Sequence, residues 1–275
     1  VGIYIWGNVP DLSTAVDDAE RLGARNAVRA FIGPWSDTPP FHDDTRPLAQ
    51  KLRDPGYQRL LRDYRVIMLT AYDSYSYARE YGAADTPAEL KARARRVKAL
   101  QRPNQVKIER PSLGIVRRLA RLSRVQSAAY LQRVREEFSD FVFTLARYDR
   151  TIILSNWEAE NDVPETRFWP QFQRLLQARL DGIAAGRARA AKANLPGRIF
   201  SAFEFTIIPG FAGRASGFER IGKALRGVDY MSYSAWWSIG HDYDVPTMRK
   251  SLQESIKRIR ANMAPDQRII IGEFG

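Results

Sequence analysis

The sequence predicts an α/β fold: a barrel of parallel strands joined by crossover helices, the (β/α)8 or TIM-barrel arrangement. Three observations lead there. Seven short β-rich runs alternate with stretches of helical character. Successive runs lie roughly 25–45 residues apart, the length of one barrel unit, with a single exception. The 275 residues, 44% hydrophobic and 27% charged, suffice for one full core and exclude disorder as the main state.

The runs are Gly2–Trp6, Ala27–Ile32, Arg65–Thr70, Thr151–Ser155, Arg198–Phe203, Asp229–Tyr233 and Arg268–Ile271. Each is rich in β-branched and aromatic residues, which suit a pleated and buried surface. Between the first two, Ser13–Leu22 is amphipathic, with Asp11 or Ser13 to cap its start and Gly23 to stop it. Tyr57–Tyr64, Ala128–Ala146, Phe168–Ala191, Ser216–Leu225 and Val245–Met263 fill the later gaps. One gap is too long for a barrel unit, so residues 73–127 are expected to be a helical insertion after the third strand. Thr86–Leu100 has helical propensity, while Pro103, Pro111 and Gly114 are expected to interrupt the helical pattern beyond it. Because Gly275 lies just past the seventh run, the eighth βα unit is expected to be absent from these residues.

Composition removes several chemistries. With no cysteine there are no disulfides, thiolate zinc sites, iron–sulfur clusters or thiol nucleophiles. No apolar run reaches the ~20 residues of a membrane span, and Val1 leads straight into a strand, so the chain is expected to be soluble. His42 and His241 lie far apart without a ligand cluster, which argues against a metal site or a Ser-His-Asp triad. Gly217–Ala224 has a phosphate-loop look but lacks the hydroxyl that holds magnesium.

The net charge of +12 is unevenly spread. Residues 91–135 carry 14 Lys/Arg against Glu109 alone, which leaves the remainder at −1. A near-neutral body with one basic segment differs from a uniformly basic nucleic-acid binder.

Catalytic groups of a parallel barrel gather where the strands' C-terminal ends converge. The fourth run ends in Ser155-Asn156-Trp157-Glu158-Ala159-Glu160-Asn161-Asp162, and the seventh in Gly272-Glu273-Phe274-Gly275. A carboxylate just past an apolar strand loses hydration and must titrate or find a partner. Arg29, on the second run, is a candidate partner for a plain rim ion pair. Two such carboxylates on strands three apart around a ring face each other across its mouth, and the pair is the signal.

These residues resemble the clan A (β/α)8 glycoside hydrolases, the cellulase-like retaining enzymes, and the resemblance spans essentially the whole chain. It implies Glu158 as acid/base and Glu273 as nucleophile, with Arg29, Asn156 and Tyr233 supporting them. Trp157 intervenes between Asn156 and Glu158 where most members have Asn directly before Glu, and an alternative alignment sets Asn161-Asp162 on the motif. The implied activity is hydrolysis of a β-glycoside by double displacement, without metal or other cofactor, in an extracellular or periplasmic setting. Trp6, Trp35, Trp157, Trp236 and Trp237 fall at or just past strand ends and would line a sugar cleft. Glu204, ending the fifth run, bonds either sugar hydroxyls or a neighbouring Arg, and Asp73 poses the same alternative. Two other readings stay open: a non-catalytic carbohydrate-binding barrel, and polyanion or nucleic-acid binding through the basic insertion. Few aromatics interleave its charges, which disfavours base stacking; an anionic polysaccharide at the cleft edge would suit it.

Overall fold

The computed structural model describes residues 3–4, 12–23, 26–33, 46–77, 111–207, 216–239 and 243–273. Seven strands form one all-parallel sheet in the order of the chain: β1 (Ile3–Tyr4), β2 (Ala27–Ile32), β3 (Val66–Ala71), β4 (Thr151–Ser155), β5 (Arg198–Thr206), β6 (Tyr230–Ser234) and β7 (Arg268–Glu273). Helices alternate with them: α1 (Leu12–Arg21), α2 (Leu48–Lys51), α3 (Pro55–Asp63), α4 (Ser74–Tyr77), α5 (Pro111–Leu119), α6 (Arg124–Leu145), α7 (Ala159–Asp162), α8 (Trp169–Lys192), α9 (Gly217–Arg220) and α10 (Val245–Arg260). The α/β class and the parallel alternation are therefore as the sequence predicts. Among the described residues, no helix is long and apolar enough to cross a membrane.

The sheet is curled. Strands β2 and β7 are five steps apart in the hydrogen-bonded order, about 24 Å across a flat sheet. Yet Arg29 on β2 donates from Nη1 to the carbonyl oxygen of Gly272 on β7 at 3.2 Å. One side chain closes that span only if the sheet bends around it.

Alternation along the strands sorts the two faces. Val28, Ala30, Ile32, Ile67, Leu69, Ile152, Leu154, Phe203 and Phe205 join the core shared with the helices. Arg29, Thr70, Ser155, Glu204, Ser232 and Ser234 belong to a polar layer on the concave face, linked by their own hydrogen bonds. Strand β7 is the less covered: Ile269, Ile270 and Ile271 are only partly buried.

The insertion departs from expectation. The stretch expected to be broken by Pro111 and Gly114 is helical as α5. Pro111 occupies the first helical position, where its missing N–H costs nothing, and burial of Ile115, Val116 and Leu119 outweighs the ~1 kcal/mol that Gly114 costs a helix. Helix α6 starts at Arg124, ahead of Ala128, because Ser123 and Gln126 form a reciprocal capping box. The helix expected over Thr86–Leu100 lies outside the described residues.

Candidate active site

Arg29 organises the polar layer. Its Nη2 donates to Glu204 Oε1 at 2.8 Å and to Thr70 Oγ1 at 2.9 Å. Its Nη1 stands 3.0 Å from Glu273 Oε1. The Nη1 hydrogen bond goes to the Gly272 carbonyl, so Glu273 Oε1 has a charge partner but accepts no hydrogen bond among the described residues. Glu273 Oε2 accepts from Trp236 Nε1 at 3.0 Å and from Ser234 Oγ at 3.3 Å. Both groups follow or end β6, adjacent to β7.

Glu273 reaches the concave face through a bulge. Tyr233 pairs with Ile271, while Ser234 pairs with Glu273, leaving Gly272 as the extra residue. Strict alternation from Ile270 would turn Gly272 inward and Glu273 outward; the bulge turns both inward. Gly272 has no room for a side chain, since a Cβ there would lie 2.2 Å from Ser232 Oγ and 3.2 Å from Glu204 Oε2.

Glu158, at the entry to α7, is 5% exposed and Glu273 6%. Burial pushes the Glu158 carboxyl upward and the charge of Glu273 adds to this, against hydrogen bonds from Ser234 and Asn161 and the attraction of Arg29. Asn161 Nδ2 donates to Glu158 Oε2, a support that the sequence reading did not pick out; the i, i+3 spacing across α7 is the signal that could have found it.

Glu204 is fully buried. Loss of hydration pushes it up to about 8, with Arg29 pulling down and Glu273 pushing up. Ser232 Oγ donates to its other oxygen at 3.2 Å. Of the two alternatives for Glu204, the geometry selects the ion pair with Arg29, and a sugar-binding role is corrected accordingly.

Two expected supports are placed elsewhere. Tyr233 does not hold Glu273: its hydroxyl lies 2.6 Å from Ser238 Oγ and donates to Ser255 Oγ at 3.3 Å, and its ring stacks on Phe205. The reason is strand alternation, because inward Ser232 and Ser234 force Tyr233 into the helix layer. Asn156 does not face a substrate. Its amide donates to the Glu204 carbonyl at 2.9 Å and accepts from the Glu204 N–H at 3.1 Å, tying the end of β4 to β5.

The tryptophans divide. Trp236, whose Nε1 reaches Glu273, and Trp237, next to it in the chain, are each 49% exposed, as a sugar platform requires. Trp157 is 6% exposed and offers little surface, a correction to its assignment as a cleft residue. Trp6 and Trp35 lie outside the described residues.

Behind the site runs a second buried network. Asp73 accepts from Arg179 Nη2 at 2.7 Å and Nε at 3.0 Å, so its alternative too is decided for an ion pair. Asp162, pushed up to about 6 by burial, accepts from Ser112 N at 3.0 Å. Glu160, pushed up by burial to about 7, accepts from the backbone N–H groups of Thr206 and Gly217. These carboxyls fasten the loops that carry Glu158. Among the described residues, no group of His, Asp or Glu is arranged to hold a metal ion. Compared with protein-family models, with curated proteins and with solved structures, the chain has no significant match.

Proposed function

We propose that this chain is a retaining β-glycoside hydrolase built on a (β/α)8 barrel, with Glu273 as nucleophile and Glu158 as acid/base. One observation supports the reading above the others: two buried carboxyls, Glu158 and Glu273, lie close enough for the charge of Glu273 to push Glu158 upward, and Ser234 Oγ beside them donates to Glu273 Oε2 at 3.3 Å. Double displacement calls for carboxyls ~5–5.5 Å apart, whereas inverting enzymes hold them ~6.5–9.5 Å apart to admit water between them.

The electrostatics favour the same roles. Glu273 faces a guanidinium and two neutral donors, surroundings that orient a carboxyl group for attack. Glu158 is pushed upward, as a proton donor at near-neutral pH must be. In the first step Glu273 forms a bond to the anomeric carbon as the glycosidic C–O bond breaks, and the Glu158 proton goes to the departing oxygen. In the second, Glu158 takes a proton from water, whose oxygen displaces Glu273 and releases the sugar.

Incubation with a fluorinated aryl glycoside, with intact-mass measurement afterwards, tests this. A stable adduct on the native chain, absent from Glu273→Gln, is the expected result. Undiminished turnover of aryl β-glycosides by Glu273→Gln would overturn it.

A further inference from the structure

One side of the mouth is walled by helices that outrun the strands. Glu137, midway along α6, accepts from the N–H groups of Ser74 and Tyr75 at 2.9 Å, just past the end of β3. The middle of α6 is therefore level with the strand ends. The helix continues from there to Arg124, about 20 Å beyond. Arg179 of α8 is fixed at a similar level by Asp73, and α8 extends about 15 Å further to Trp169. Arg174 Nη2 donates to Ser127 Oγ at 2.9 Å and joins the projecting halves. Helix α5 is pinned beside them through Ser112 and Asp162.

This wall is basic. Residues 111–135 contain six arginines and no acid. Arg117 pairs with Glu165 and Arg133 with Glu136. Arg121, Arg124 and Arg135 are exposed and, among the described residues, no acid pairs with them. The floor carries no such positive excess: Glu204 and Glu273 both lie against the Arg29 guanidinium. A ligand charged along its whole length would be drawn to the wall but would meet, at the floor, a guanidinium already paired with Glu204 and Glu273.

We infer that the substrate is a glycan with acidic units set at intervals among neutral sugars. A neutral sugar lies between Glu158 and Glu273 beside Trp236, while an anionic unit of the same chain rests on Arg121 and Arg124. This rests on the hydrolase reading and specifies its substrate class. A uniformly charged polyanion such as duplex DNA, or a homopolymer of uronate, fits the wall but not the floor.

Binding without turnover separates the two ideas. Gellan and xanthan, whose uronates are separated by neutral sugars, are the probes, each used intact and after chemical reduction of its carboxyls to alcohols. Affinity electrophoresis of the native chain is expected to show retardation by the intact polymers that weakens with salt. It should weaken about tenfold with the reduced polymers or in the Arg121→Gln/Arg124→Gln double variant. That variant should hydrolyse small neutral aryl glycosides at the native rate. Retardation indifferent to carboxyl reduction and to the double substitution would overturn the inference, as would tighter binding to duplex DNA or polygalacturonate than to gellan. Retention of carboxyl-dependent binding with no hydrolysis of any glycoside would overturn the hydrolase reading and leave the wall's anion preference standing. Aryl-glycoside turnover without anion preference would do the reverse.

Discussion

Arg29 Nη1 lies 3.0 Å from Glu273 Oε1, although the two residues sit on strands five steps apart in the sheet. The contact joins the two flanks of the curled sheet and places one positive charge among three carboxyls. Removing the guanidinium leaves Glu273 without its charge partner and Glu204 without a donor in a buried setting, a loss of about 3–5 kcal/mol for a broken buried pair. Arg29→Met is therefore expected to lower the melting temperature and abolish activity. Arg29→Lys should fail to restore activity, since one ammonium cannot reproduce contacts to Thr70, Glu204, Gly272 and Glu273 together. Native-like melting and turnover in Arg29→Met would count against this account of the cluster.

Stability should fall as pH rises above neutrality. Asp162, Glu160 and Glu204 are pushed up to about 6, 7 and 8 by burial. A carboxyl raised in the folded state contributes stability that is complete below its unfolded value near 4. That contribution is lost as pH rises through the folded values. The melting temperature is expected to decline between pH 5 and 9, and Glu204→Gln should flatten the upper part of that decline. A profile that rises across this window would contradict the assignment.

Gly272→Ala tests the bulge. The new methyl group meets Ser232 Oγ at 2.2 Å inside a packed polar layer, and overpacking of this kind costs about 1–3 kcal/mol. Activity should drop far more than stability, because the displaced strand carries Glu273. Adding Ser232→Gly removes the obstructing hydroxyl and should recover part of the loss; no recovery in the double variant would mean that the hydroxyl is not the obstacle.

Trp236→Phe keeps an aromatic platform and deletes the N–H that reaches Glu273 Oε2 at 3.0 Å. A hydrogen bond to a charged group contributes about 1.5–3 kcal/mol. The expected fall in kcat/KM is thus roughly ten- to a hundredfold. Measuring kcat and KM separately distinguishes this from lost stacking: the missing donor should appear in kcat, whereas Trp237→Ala should act mainly on KM.

The sequence by itself determined the order and type of the strands, since β-rich runs separated by helical stretches leave few arrangements other than a parallel sheet. It also singled out Arg29, Glu158 and Glu273, because a charged residue in or just past an apolar run is costly without a partner. Facing was decided only in three dimensions. Tyr233 and Ser234 are neighbours in sequence, yet alternation sends one into the helix layer and the other to the carboxyls. Glu273 turns inward because the bulge at Gly272 breaks that alternation, and no local pattern announced it. Pro111 and Gly114 looked like breakers until burial of Ile115 and Val116 made α5 a helix. Local propensities are worth about 1 kcal/mol, so tertiary burial overrides them wherever the two conflict.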